Sequence, residues 1–356
     1  MKSGTKGRGA SFNTPNRFEE LHREVLADEP VTGDGGEGHP GLPTRYFEDR
    51  SQTILVRNDS PDIPFTFSLN PYRGCEHGCI YCYARPSHEY LGFSAGIDFE
   101  TKIMVKPDAP RLLARALGAK RWVPQTVTLS GNTDPYQPVE RKLALTRRCL
   151  EVFLEFRNPV SIITKNALVL RDIDLLDSMA RLGLIHVMLS VTSLDPALIR
   201  IMEPRTSAPP LRLQAVGELA RRGIPVGVNI APVIPGLTES EIPAILRAAA
   251  ASDARCASYI LVRLPGSVRE LFVEWLGREL PERREKILNR IRETRSGKLN
   301  DPHFHTRQKG EGEIASSVRS LFSLAASQAG IGAGWPELST AHFRRVERGQ
   351  QELFDR

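Results

Sequence analysis

Asn70-Pro71-Tyr72-Arg73-Gly74-Cys75-Glu76-His77-Gly78-Cys79-Ile80-Tyr81-Cys82 is the stretch on which the reading turns. Its three cysteines follow the spacing C-x3-C-x2-C. Thiolates this close repel one another unless a cation binds them. Gly74 and Gly78 let the backbone curl around a bulky ligand. The run 65–69 just before it reads as a strand, so the loop stands where an α/β fold carries its active site, at a strand's carboxyl end.

A four-iron cubane usually takes four thiolates, so three would leave one iron open to a small molecule. Two other readings compete. One is a structural zinc site completed by His77 or His88; such sites usually pair cysteines and place the second pair far along the chain, and no second pair follows here. The other is three unrelated buried cysteines, which the tight spacing in a glycine-containing loop argues against. Cys149 and Cys256 read as small buried hydrophobes. Five cysteines, an odd number, argue against a disulfide framework.

Outward from the loop, strands and helices alternate. Strands are expected at 126–130, 160–164, 186–192, 225–230 and 258–263. Helices are expected at 109–118, 139–156, 166–182, 211–222 and 239–251, and a charged helical tail from about 268. Six β–α pairs imply a parallel sheet with right-handed crossovers, either open and doubly wound or an incomplete barrel. Residues 1–50 are rich in Gly, Pro and charge and read as a poorly ordered lead-in, with a short helix possible at 18–26 and the conventional fold starting near Phe65. The expected organisation is a lead-in at 1–50, an α/β unit at 55–265 and a helical extension at 266–356.

The chain of 356 residues carries net charge +6. Residues 1–50 hold 7 Lys and Arg against 9 Asp and Glu, so the remainder carries +8. A solvated basic surface explains this; a patch for nucleic acid is the sharper alternative. Charges or prolines interrupt every apolar run short of a membrane span. Residues 1–10 are basic and Gly-rich with no apolar leader, which makes the cytoplasm the expected location. His303 and His305 read as plain loop residues, and Gly310 and Gly312 as a loop that could close over the barrel.

An aromatic before the last cysteine of C-x3-C-x2-C makes the segment resemble the signature of the radical S-adenosylmethionine (SAM) superfamily. The longer string NPYRGCEHGCIYCYAR (70–85) is similar to the spore photoproduct lyase-like branch. The resemblance covers about residues 55–330. It implies an α/β fold: a partial (βα)6 TIM-like barrel with a helical C-terminal extension. It implies a 4Fe–4S cluster on Cys75, Cys79 and Cys82, and SAM across the barrel's top. Tyr81 would lie near the adenine. Ser130, Gly131, Asn132 and Thr133 would meet the SAM amino group, and Lys165 its carboxylate. Ser190 would bond ribose or carboxylate, and Asn229 and Ile234 would contact ribose and adenine. In VNIAPVIPGLTE (228–239), Pro232 stands where the family pattern G-x-I-x-G-x-x-E has its first glycine; Gly236 and Glu239 are retained. Spore photoproduct lyases carry a hydrogen-donating cysteine after the second strand, and this chain has Gly131 there. The resemblance therefore implies shared cofactor machinery without that lesion chemistry.

The implied activity is reductive cleavage of SAM to a 5′-deoxyadenosyl radical that abstracts hydrogen from an unassigned substrate, with a reducing partner such as flavodoxin or ferredoxin. Two alternatives stand beside it: a related enzyme acting on DNA or RNA, suggested by arginine pairs such as Arg147-Arg148 and Arg221-Arg222, and a non-enzymatic zinc or iron–sulfur module.

Overall fold

The computed structural model describes residues 6–18, 42–332 and 334–346. Among the described residues ten strands occur in chain order: β1 (Arg45–Glu48), β2 (Leu55–Arg57), β3 (Phe67–Leu69), β4 (Tyr72–Arg73), β5 (Lys102–Val105), β6 (Val127–Leu129), β7 (Val160–Thr164), β8 (Ile185–Ser190), β9 (Val226–Val233) and β10 (Cys256–Leu261). The main sheet runs β10-β9-β8-β7-β6-β3-β2. From β3 to β10 every pairing is parallel, and β2 adds an antiparallel edge. These six parallel strands are the six expected, and with their crossover helices they form the partial (βα)6 barrel.

Strand alternation explains how the two faces separate, since successive side chains point to opposite sides. Val127, Leu129, Val160, Ile162, Ile185, Val187, Leu189, Val226, Val228 and Ile230 are fully buried in the main core. That core also takes in the apolar faces of the helices Ala109–Gly118, Leu145–Phe156, Pro209–Arg221 and Ile242–Ala251. The intervening residues, among them Thr128, Ser161, Ser190, Asn229 and Ser258, turn to the other face. Their polarity shows there as a Thr128–Ser161 hydroxyl bond of 2.8 Å and a Ser258 hydroxyl donating to Asn229 at 3.0 Å.

Several expectations need correction. The fold starts before Phe65: β1 and β2 precede it, and β1-β5-β4 form a second, three-stranded sheet. Residues 8–14, inside the expected lead-in, are packed, with Arg8, Gly9, Ala10 and Thr14 buried. The helix expected at 18–26 lies almost wholly outside the described residues. The helix expected over 139–156 breaks at Ala144, which is left-handed at φ +49°. The cause is Glu140, whose carboxylate turns inward to accept from the Thr146 amide, the Tyr72 hydroxyl and Arg171. The stretch 166–182 starts as a 3₁₀ turn, Ala167–Asp172, capped by the Asn166 side chain, and becomes α-helical at Ile173–Ala180.

The C-terminal region closes the fold at two places. Trp335 stacks on His186 with ring centroids 4.2 Å apart, beside Gly227 and Cys256, at the amino-terminal end of the strands. Higher up, Arg307 pairs with Asp62 of the β2–β3 loop, while Lys309 donates to the Tyr259 carbonyl of β10 at 2.8 Å. The segment holding Gly310 thus ties together the two edges of the incomplete barrel.

Candidate functional site

The cysteine loop leaves β3 and β4 at the carboxyl end of the parallel sheet. It is held by hydrogen bonds to its backbone from both main-chain and side-chain partners. The Cys75 amide donates to Phe99 O at 2.9 Å, and the Ile80 amide to Met202 O at 3.1 Å. Thr133 Oγ1 donates to Gly74 O at 2.6 Å, and Gln137 accepts from the Glu76 amide at 3.0 Å. Arg85, fully buried, donates to the carbonyls of Gly78 and Cys79 and pairs with Glu100 at 2.5 Å. Glu100 in turn accepts from the amides of Gly9 and Ala10 at 3.1 and 2.9 Å, which brings the N-terminal segment against the loop.

Cys75 and Cys79 are buried and Cys82 is half-buried. Burial pushes the Cys79 thiol well above its usual value, and Glu203 adds to this while Lys165 opposes it. Cys82 is pushed up to about 11, by burial and then by Cys75. Thiolates here need an external cation, and a thiolate-bound metal cluster is such a cation. The donor set therefore fits a cluster. Among the described residues no three His, Cys, Asp or Glu side chains close on a single-ion site; cubane thiolates each bind a different iron, so the cluster reading does not call for such crowding.

His77 does not offer itself as a fourth ligand. Asn166 Oδ1 accepts from the Leu168 amide and the Ser207 hydroxyl, so its amide nitrogen, 3.1 Å from His77 Nε2, is the donor there. The other ring nitrogen, Nδ1, faces Asp134 at 3.4 Å. Asp134 also accepts from Thr164 Oγ1 at 2.6 Å and the Lys165 amide at 2.8 Å, linking the ends of β6 and β7 to the loop. His88 lies between Phe93 and Phe99, where burial pulls its pKa down to about 4.

Tyr81 points into the site. Its hydroxyl donates to Glu203 and lies 3.3 Å from Thr192 Oγ1. Lys165 Nζ donates to Ala231 O at 2.9 Å and stands 5.8 Å from the centre of the Tyr81 ring. Burial opposes the Glu203 charge, but Arg212 and Lys165 outweigh it and hold the carboxyl at about 2. Ile234 is fully buried in one apolar cluster with Cys79, Ile80 and Tyr81. The turn Ser130–Thr133 is joined to the loop through Asn70, which accepts from the Asn132 amide at 3.3 Å, and through the Tyr83 hydroxyl, which donates to Gly131 O at 2.6 Å. Ser130 and Gly131 both have positive φ, 148° and 117°. Ser190 and Asn229 are register partners on β8 and β9. Ser190 is tied to Tyr81 indirectly, since its carbonyl accepts from Arg212, the partner of Glu203.

Glu203, Arg212, Thr192 and Glu100 stand around the candidate site although no motif in the sequence points to them. Asp134 closes the stretch 130–134 that the resemblance assigns to the SAM amino group. Of the others considered from sequence, Cys149 is fully buried in the main core. His303 is exposed and bonded to Asp301 at 2.6 Å.

The profile of the Radical SAM superfamily matches residues 69–249, half of the chain. The chain belongs to the radical SAM superfamily. An uncharacterized protein of Mycobacterium tuberculosis (strain ATCC 25618 / H37Rv) is 37% identical over 233 residues, 65% of this chain and 67% of its own length. An uncharacterized protein of Methanocaldococcus jannaschii is 30% identical over 175 residues, 49% of this chain and 63% of its own. Among solved structures, spore photoproduct lyase complexed with dinucleoside spore photoproduct is similar in fold, with TM-score 0.56 at 17% identity over 85% of this chain and 86% of that one. This radical SAM chain thus shares the fold of spore photoproduct lyase. Among its described residues no helix is long and apolar enough to cross a membrane.

Proposed function

We propose that this radical SAM enzyme holds a 4Fe–4S cluster on Cys75, Cys79 and Cys82 and binds SAM over the carboxyl ends of the strands. The observation that carries the reading is the convergence of three cysteines, Cys79 and Cys82 with thiols pushed up by burial, on one tightly hydrogen-bonded loop at that end of a parallel sheet. When bound, the pair supplies one-electron cleavage of SAM and a 5′-deoxyadenosyl radical for hydrogen abstraction.

The chain's own residues hold and shield. Arg85 fixes the loop carbonyls, and Glu100 holds Arg85 and the N-terminal segment against the loop. In this reading Lys165 neutralises the SAM carboxylate. Ser130, Gly131, Asn132 and Thr133 offer backbone and hydroxyl groups to the ammonium. Tyr81, fixed by Glu203, and Ile234 border the adenine, with Asn229 and Ser190 toward the ribose. The electron donor is a reducing partner of the flavodoxin or ferredoxin kind, in the cytoplasm. Anaerobic reconstitution with iron and sulfide, then reduction in the presence of SAM, tests the reading. It expects a coloured protein that forms 5′-deoxyadenosine; a colourless protein that forms none contradicts it.

Action on nucleic acid is the second reading. It rests on the net +8 of residues 51–356 and on the fold shared with a lyase solved with a dinucleoside photoproduct. Binding to single- or double-stranded DNA that weakens steeply with salt supports it, and absent or salt-independent binding counts against it.

A further inference from the structure

Arg263 follows β10 at the mouth of the barrel and is half-buried. Its Nε is buried without a hydrogen-bond partner. Its guanidinium carbon lies 5.5 Å from the centre of the Tyr83 ring, and Tyr83 directly follows Cys82. The Tyr83 hydroxyl is spent on Gly131 O, so the ring stands fixed between the cysteine loop and the turn after β6. The carboxylates nearby are already engaged. Asp62 takes Arg307 and the His305 amide, and Asp301 takes His303 and Thr306. Arg295, the third guanidinium of the group, donates to the carbonyls of Thr306 and Val262. Burial, and then Arg307, pull the Arg263 pKa below the usual arginine value.

A guanidinium presents donors in a planar fork that matches phosphate or carboxylate. Leaving the Arg263 Nε buried and unpaired is unfavourable. A bound anion removes that penalty, and the position beside Cys82-Tyr83 is where a substrate must come if it is to meet chemistry at the cysteine loop. We propose that Arg263, backed by Arg307 and faced by Tyr83, binds an oxyanionic group of the substrate, a phosphate or a carboxylate, and sets the substrate against the Cys82-Tyr83 end of the loop. The assignment rests on the radical SAM reading for what the substrate is set against.

Calorimetric titration of the cluster-loaded, SAM-bound protein tests it, with inorganic phosphate and acetate as separate probes. The proposal expects at least one probe to bind, the tighter one marking a phosphate or a carboxylate substrate. Arg263→Gln weakens that binding about ten-fold, or ~1.4 kcal/mol. Arg263→Lys, which keeps the charge without the fork, weakens it less, and this comparison carries the test where the glutamine variant does not fold. The proposal is overturned where neither probe binds the unsubstituted protein. It is also overturned where Arg263→Gln binds both probes as well as before, whether or not its SAM affinity falls. Formation of 5′-deoxyadenosine by the unsubstituted protein keeps the two readings apart: with deoxyadenosine formed and no anion bound, the Arg263 assignment fails alone.

Discussion

The Gly9 α-carbon lies so close to the Gly78 carbonyl that a β-carbon at position 9 would stand 1.9 Å from that oxygen. Gly78 lies between Cys75 and Cys79, so this contact makes the N-terminal segment part of the wall behind the cysteine loop. Arg8 adds to it by donating to Glu100 O at 2.8 Å. A side chain at position 9 must push one of the two backbones away. Gly9→Ala is expected to lower both the iron retained after reconstitution and the thermal midpoint. Gly334→Ala, where a β-carbon meets nothing within 4 Å, is expected to change neither. Iron analysis and thermal melts of the two variants check this.

The Arg85–Glu100 pair is fully buried on both sides. Removing one partner strands a charge away from water, at a cost of about 3–5 kcal/mol. Glu100→Gln is therefore expected to lower the denaturation midpoint strongly. The partly exposed Lys102–Asp98 pair, 2.9 Å apart, is worth ~0.5 kcal/mol by comparison. Denaturant titration of Glu100→Gln against Lys102→Ala measures the contrast.

Cys75→Ala, Cys79→Ala and Cys82→Ala are each expected to abolish or sharply reduce iron and sulfide binding. Cys149 sits in the main core, and Cys256 packs beside Gly227 and Trp335. Cys149→Ala and Cys256→Ala are expected to retain iron and lose ~1 kcal/mol or more of stability through the small cavities left behind. Iron and sulfide counts on the five variants separate the two groups.

His186 supplies a pH dependence remote from the cluster. Burial under Trp335 pulls its pKa down to about 4 from the ordinary 6.5. The folded state therefore favours the neutral ring. That stability is fully present above pH 6.5 and is lost as pH falls toward 4, with a total on the order of 3 kcal/mol. His186→Phe is expected to flatten the fall in thermal midpoint between pH 6.5 and 4.5, and melts across that range would show it.

Much of this was legible in the chain, for physical reasons that also mark where legibility stops. Val127-Thr128-Leu129 and Val160-Ser161-Ile162 alternate because one face meets helices and the other lines the barrel, so the β–α rhythm and the six strands could be read. The cysteine loop was legible because cluster ligands must be close in sequence when one loop supplies them all. Glu203 and Glu100 were not, because their partners Tyr81 and Ala10 are 122 and 90 residues away. The N-terminal segment escaped notice for a different reason. Composition judged it by apolar burial, yet Arg8, Asn13 and Asn16 dock it by hydrogen bonds, Asn13 to Asp98 and Asn16 to the Glu89 carbonyl. The break at Ala144 was hidden because nothing local forbids a helix there; the inward pull on Glu140 from Tyr72 and Arg171 is tertiary.

The central claim is that three protein thiolates leave one iron for SAM to occupy. Electron paramagnetic resonance of the reduced, reconstituted protein, recorded without and with SAM, tests this most directly. The account predicts a cluster signal that changes shape when SAM is added and disappears in Cys79→Ala. A reduced cluster with the same spectrum whether SAM is present or absent would contradict it.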